Sequence, residues 1–228
     1  MAGRNSRSQL HWPTKKPLSA VSPINATPSL KGLPQIPPSQ GGSHWFSDRH
    51  NRSKGPSGSV LRLLYYPAIN DNSYNPSLDI RAGAHSDYGS ITLLFQLPSQ
   101  PGLEILTSNN TWAPVPVNPL NQTVPPILVN IGDLLSYWTN GLLKSTVHRV
   151  IFPKDGRGGG RDRYSIAYFC HPLDEARLEA VPSRVVKEYK GKGGEQGEKE
   201  RVLTARDHLN MKLAATYGLK EDKRDDDC

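Results

Sequence analysis

From Ser59 onward the chain alternates short apolar runs with clusters of turn residues. Val60-Leu61-Arg62-Leu63-Leu64-Tyr65-Tyr66 reads as a strand stopped by Pro67, and residues 68–79 as a polar loop. Further strands are expected at Ile91–Gln96, Leu103–Leu106, Trp112–Val115, Ile127–Ile131, Ser145–Phe152 and Arg163–Cys170. The runs are short, rich in β-branched and aromatic residues, and bounded by Gly, Pro and Asn. That spacing predicts a mainly β protein, an antiparallel sandwich or jelly roll. Asp133–Thr139 fits a short helical turn ended by Asn140-Gly141. Thr204 can cap a C-terminal helix running to Tyr217, with Gly218 stopping it.

Residues 1–43 follow neither period. Pro13, Pro17, Pro23, Pro28, Pro34, Pro37 and Pro38 interrupt a Ser- and Gly-rich stretch with too little apolar surface to offset its ordering entropy, so disorder is expected there. Pro153–Gly160 reads as a mobile hairpin tip, Lys187–Arg201 as a charged solvated loop, and residues 221–228 as a charged, frayed tail.

The charge is unevenly spread. Of a net +7 over 228 residues, residues 1–60 carry eight Lys/Arg against Asp48 alone, which leaves the remainder balanced. A basic balance confined to one end, without interleaved aromatics, gives no support for nucleic-acid binding. Cys170 and Cys228 make no disulfide framework, no apolar run approaches a membrane span, and the N-terminus lacks a secretory core, so a soluble cytoplasmic protein is expected.

Candidate chemistry concentrates in three places. In a strand, residues i and i+2 point the same way, so His85 and Asp87 can aim an imidazole and a carboxylate at one metal ion while Ser86 faces away. His148, in another expected strand, can complete two imidazoles and one carboxylate on one face of an ion, the donor set of non-haem Fe(II) oxygenases. Taken singly, His-x-Asp is a common surface turn and His148 an ordinary strand residue; their order, with strands between, gives the combination its weight. Arg163 and Ser165 repeat the i, i+2 logic with a guanidinium fork and a hydroxyl suited to a carboxylate. An alternative for Arg163 is a structural ion pair with Asp155 or Asp162. If the inner face of that strand carries Arg163, it also carries Ala167 and Phe169, making Phe169 a candidate wall for an apolar substrate. His11, His44, His50, His171 and His208 read as structural or solvated. Gly156–Gly160 lacks the Lys-Ser/Thr of a phosphate loop.

The stretch from about Trp45 to Pro172 resembles the isopenicillin-N-synthase-like branch of the 2-oxoglutarate/Fe(II)-dependent dioxygenases. The matching text is Leu61 to Pro67, Ala84-His85-Ser86-Asp87-Tyr88-Gly89-Ser90 through Leu94, Asn130-Ile131-Gly132-Asp133, Thr139-Asn140-Gly141, Ser145-Thr146-Val147-His148-Arg149-Val150 and Arg163-Tyr164-Ser165. The resemblance implies a double-stranded β-helix over residues 44–220, with Fe(II) held by His85, Asp87 and His148. It implies 2-oxoglutarate chelating that ion, its distal carboxylate held by Arg163 and Ser165 with Tyr66 as a further contact. With O2, such an enzyme oxidises a small organic substrate by hydroxylation, desaturation or ring chemistry and releases succinate and CO2.

Two departures stand out. Leu64 occupies the position where many plant relatives have an Asn that contacts the co-substrate. Family members also usually carry an N-terminal region of a hundred or more residues that packs on the barrel; here the Pro/Ser-rich stretch stands in its place. Two alternatives therefore stay open: an ascorbate-type iron oxidase that does not use 2-oxoglutarate, and a truncated, non-catalytic remnant.

Overall fold

In the computed structural model, which describes residues 36–69, 79–152, 161–189 and 202–218, the strands form two antiparallel four-stranded sheets. They are β1 (Val60–Tyr66), β2 (Ile80–His85), β3 (Ile91–Gln96), β4 (Leu103–Leu106), β5 (Trp112–Pro114), β6 (Leu128–Ile131), β7 (His148–Ile151) and β8 (Arg163–Cys170). One sheet has the order β1-β8-β3-β6 and the other β2-β7-β4-β5, the arrangement of a double-stranded β-helix.

The period-2 pattern sets which way each sheet faces. Along β8, Arg163, Ser165 and Ala167 are buried while Tyr164, Ile166 and Tyr168 are only half-buried. On β1, paired with β8 from Val60↔Phe169 to Tyr66↔Arg163, Leu64 and Tyr66 line the interior cavity. Leu61, Leu63 and Tyr65 point outward and stay 44%, 76% and 56% exposed. The Tyr65 ring stacks on Tyr164 at 4.9 Å, covering part of this outer apolar face.

Among the described residues four helices flank the sheets: α1 (Trp45–Arg49), α2 (Asp133–Trp138), α3 (Arg184–Glu188) and α4 (Ala205–Tyr217). They contribute a core beside the barrel, built from Trp45, Leu134, Leu135, Trp138, Leu178, Val181, Val186 and Ala205. Trp45 and Trp138 meet edge-on at 5.0 Å, and the Trp138 indole N–H donates to the Arg177 carbonyl at 3.1 Å. α4 begins as expected, with the Thr204 side chain accepting from Asp207 N–H while the Asp207 carboxylate accepts from Thr204 N–H, and it stops at Gly218 with φ +64°. None of the described helices is long and apolar enough to cross a membrane.

Several expectations are corrected. Disorder is expected over 1–43, but its described end, residues 36–43, is ordered. Residues 1–35 lie outside the described residues, but Pro38–Gln40 and Gly42–His44 form 3-10 turns, and Ile36 packs against the helical core. β2 begins directly after the expected loop 68–79 and is not among the strands expected from apolar runs, because Arg81-Ala82-Gly83-Ala84 has no β-branched or aromatic residue. Pairing with β7 holds it extended, with register shifts between Ile80 and Ala82 and between Ala82 and His85. Residues 145–147 precede β7 rather than belong to it, and Lys187 and Glu188 close α3. Pro153–Gly160, residues 190–201 and the tail 221–228 lie outside the described residues.

Candidate active site

β2 and β7 pair so that His85 lies opposite His148, with ring centroids 4.4 Å apart. Asp87 follows β2 by two residues and turns back into the barrel. Ligand atoms of the three side chains lie within 4.8 Å of one another, a set that could hold a metal ion. The Asp87 Oδ1 atom is 3.9 Å from His85 Nε2 and 3.6 Å from His148 Nε2.

The neighbours of these atoms orient them. His85 Nδ1 lies 2.7 Å from the Gly83 carbonyl and His148 Nδ1 3.0 Å from the Thr146 carbonyl. A carbonyl can only accept, so in each ring Nδ1 donates and Nε2 is turned toward the other side chains of the cluster. Asp87 is divided in the same way. Its Oδ2 accepts from the Thr92 hydroxyl at 2.6 Å and from the Asn130 amide at 2.7 Å, leaving Oδ1 turned toward the histidines.

Behind this trio Asp133 ties the segments together. Its backbone N–H donates to the Asp87 carbonyl at 2.7 Å. Its carboxylate accepts from Ser86 Oγ at 3.1 Å and Ser145 Oγ at 2.7 Å, and pairs with Lys212 of α4 at 2.8 Å. Burial raises the Asp133 pKa, but the bonds from Lys212, Ser145 and Ser86 outweigh it and hold the group below its ordinary value.

Arg163 opens β8 and is 2% exposed. It donates to Ser165 Oγ at 3.3 Å and to Gln96 Oε1 at 3.1 Å, its guanidinium lies 5.5 Å from the Tyr66 ring centre, and its Nε has no partner. Asp162 is not its counter-ion. That carboxylate accepts from Ala68 N–H at 2.9 Å and faces the Tyr65 and Tyr164 hydroxyls at 3.4 Å. Asp155 lies outside the described residues, and among those described no carboxylate pairs with Arg163. Burial pulls the Arg163 pKa below its ordinary value. A buried guanidinium without an anion is costly, so this position suits an anionic ligand.

One cavity of about 380 Å³ joins these groups, with Tyr66, Arg163 and Ser165 in the same lining as His85, Asp87 and His148. Its walls are otherwise mostly apolar, including Leu103, Ile105, Leu128 and Phe169. All seven candidate residues of the sequence (Tyr66, His85, Asp87, His148, Arg163, Ser165, Phe169) therefore face one space of a size usual for small-molecule sites. Leu64, at the position of the plant asparagine, lines it too. Sequence reasoning assigned no role to Thr92, Asn130, Gln96 or Asp133. The i, i+2 rule that found Arg163 and Ser165 also puts Thr92 and Gln96 on the inner face of β3, and that signal was available.

Comparison with known proteins agrees with this geometry. Residues 57–172 match the model of the 2OG-Fe(II) oxygenase superfamily, and the chain belongs to that family. It is 37% identical over 174 residues to the 2-oxoglutarate-dependent dioxygenase htyE of Aspergillus rugulosus, covering 75% of this chain and 48% of that protein. It is 34% identical over 162 residues to the proline hydroxylase buaE of Petromyces alliaceus, covering 71% and 48%. Among solved structures, a full-length Neurospora crassa protein in complex with alpha-KG and thymine is 37% identical with a TM-score of 0.61, covering 77% of this chain and 48% of that one. The chain thus spans about half the length of these relatives.

Proposed function

We propose that this chain is the catalytic part of an Fe(II)- and 2-oxoglutarate-dependent oxygenase that oxidises a small organic molecule with O2, releasing succinate and CO2. The observation that carries the reading is Arg163: a buried guanidinium without a carboxylate partner among the described residues, opening onto the same cavity as a two-histidine, one-carboxylate cluster. Residues 44–220 form the catalytic unit, extended back to Ile36 by its packing.

His85, Asp87 and His148 would hold the ion, which with 2-oxoglutarate supplies the oxidising chemistry when bound. The Nδ1 protons donated to the Gly83 and Thr146 carbonyls keep both imidazoles in the metal-binding tautomer. Thr92 and Asn130 hold Asp87 Oδ2, so that Oδ1 is the oxygen it would offer to the ion. Arg163 and Ser165 would receive the distal carboxylate of 2-oxoglutarate, with Tyr66 beside them. The Ser165 hydroxyl accepts from Arg163 and keeps its own proton free to donate. Phe169 and the aliphatic walls would pack against substrate and exclude water. Proline, in one relative's name, and thymine, bound in the Neurospora protein, support a small-molecule substrate. A reducing intracellular setting fits the free thiol of Cys170.

The test is an anaerobic titration with Fe(II) and then 2-oxoglutarate, following the visible metal-to-ligand charge-transfer band, with succinate measured once O2 is admitted. The band is expected in the parent, lost in His148→Ala and weakened in Arg163→Ala. Folded, iron-loaded protein without the band would overturn the 2-oxoglutarate reading. Substrate oxidation without succinate would then point to an ascorbate-type oxidase, and no oxidation to a non-catalytic remnant.

A further inference from the structure

The charged side chains lining the cavity include one that neither the metal cluster nor the co-substrate pocket uses: Lys144. It lies on the loop joining α2 to β7, four residues before His148, and its neighbours are pinned. The Leu143 N–H donates to Thr139 Oγ1 at 3.2 Å and Ser145 Oγ donates to Asp133 at 2.7 Å. The segment carrying Lys144 is therefore fixed against the site, although the lysine itself is exposed at its edge. Among the described residues, Lys144 has no carboxylate or hydrogen-bond partner. An ordinary surface lysine is merely solvated; this one borders an apolar cavity beside the reacting centre.

Charge accounting within the cavity, which rests on the function proposed above, gives Lys144 a further meaning. The two positive charges of the ion, the carboxylate of Asp87, the two carboxylates of 2-oxoglutarate and the guanidinium of Arg163 cancel. Lys144 is the charge left over. It also belongs to a different part of the site from Arg163. Lys144 leads into His148 on β7, whereas Arg163 opens β8, in the other sheet. An anion at Lys144 would be held from a different segment than the one that carries Arg163.

We propose that the substrate is an organic acid with an apolar body, whose carboxylate is received by Lys144 while Leu103, Ile105, Leu128 and Phe169 enclose the remainder. Lys144 is then a specificity-determining residue: an ammonium on a flexible stem, it recognises charge rather than a fixed planar shape.

The experiment uses the full chain, anaerobic and loaded with Fe(II) and 2-oxoglutarate. 4-Phenylbutyrate and octanoate are compared with their carboxamides by perturbation of the charge-transfer band and, independently, by calorimetry. In the parent each acid is expected to bind about 10-fold or more tightly than its amide. Lys144→Met should abolish that preference while leaving the dissociation constant for 2-oxoglutarate unchanged, and Lys144→Arg should retain it. Equal binding of acids and amides by the parent, no binding of any panel member, or a preference that survives Lys144→Met would each overturn the proposal. A missing band in the parent would instead defeat the 2-oxoglutarate reading, and calorimetry would still report whether acids prefer the lysine. If Lys144→Met fails to fold, Lys144→Gln carries the same comparison.

Discussion

Asp87 is oriented by two residues that bear no metal-binding chemistry of their own. Thr92 on β3 and Asn130 on β6 both donate to Oδ2, so the direction of Oδ1 depends on them. Removing the Thr92 hydroxyl leaves Oδ2 held by the Asn130 amide alone and loosens the orientation of Oδ1. Thr92→Val, which keeps the shape but not the donor, is expected to weaken Fe(II) binding by about 10- to 100-fold with the fold intact. Metal titration of the folded variant checks this, and an unchanged dissociation constant would remove Thr92 from the support of the site. The proposed ligands were legible in the sequence because His-x-Asp is a local pattern with a local geometric meaning. Thr92 and Asn130 were not singled out because their effect depends on register: Thr92 lies opposite Asn130 only once β3 and β6 are paired. Arg163 falls between the two cases. Its inward direction followed from alternation, but that no described carboxylate pairs with it depends on how distant segments pack around it.

The turn into α2 shows how one element can be fitted against another. The Gly132 N–H donates to the Ser90 carbonyl at 2.9 Å, Asp133 N–H to Asp87 at 2.7 Å and Leu134 N–H to Gly89 at 3.1 Å. The start of the helix thus lies directly on the turn that carries Asp87. A side chain at position 132 has no room, since its Cβ would fall 2.2 Å from the Gly89 carbonyl oxygen. Gly132→Ala is therefore expected to cost about 3 kcal/mol or to displace the Asp87 turn, read by urea denaturation alongside metal affinity. A loss below about 0.5 kcal/mol with metal affinity retained would mean that the turn relaxes freely. At this scale β3, β4, β8 and α4 were legible from their own residues: apolar runs, Gly and Pro stops, and a capping pair. β2 was hidden because its extended form depends on β7. α1 and α3, at five residues each, are too short to establish a helical period.

Three histidines, the buried His171 and the half-buried His50 and His208, link the molecule's stability to pH. His50 Nε2 lies 2.9 Å from Ser90 Oγ, and His171 follows the end of β8. Burial pushes all three pKa values down, His171 to about 4, where the fields of His208 and His50 reinforce the shift against those of Asp174 and Asp87. The unfolded chain binds these protons near pH 6.5 and the folded chain only lower. Stability is therefore full above about pH 6.5 and falls as pH drops toward about 4, by on the order of 3 kcal/mol from His171 alone. Asp133, depressed below the usual carboxylate value, loses its contribution only at lower pH, so the two windows separate. Denaturation midpoints are expected to hold level from about pH 7.5 to about pH 6.5 and to fall from there to about pH 5. A flat profile would mean that these rings charge without loss of the fold. The sequence classed these histidines as structural or solvated, and it could not show their clustering, because His50, His171 and His208 come from distant parts of the chain. Asp87 likewise joins distant parts: one oxygen is held by the sheet of β3 and β6, the other faces the imidazoles of the sheet of β2 and β7. An ion bound there would clasp the two layers together, and such binding would favour the folded state by mass action. Iron supply would then govern how long each copy of the protein survives as well as whether it turns over, since a cell short of the metal would hold more of the open chain, the form that its proteases remove.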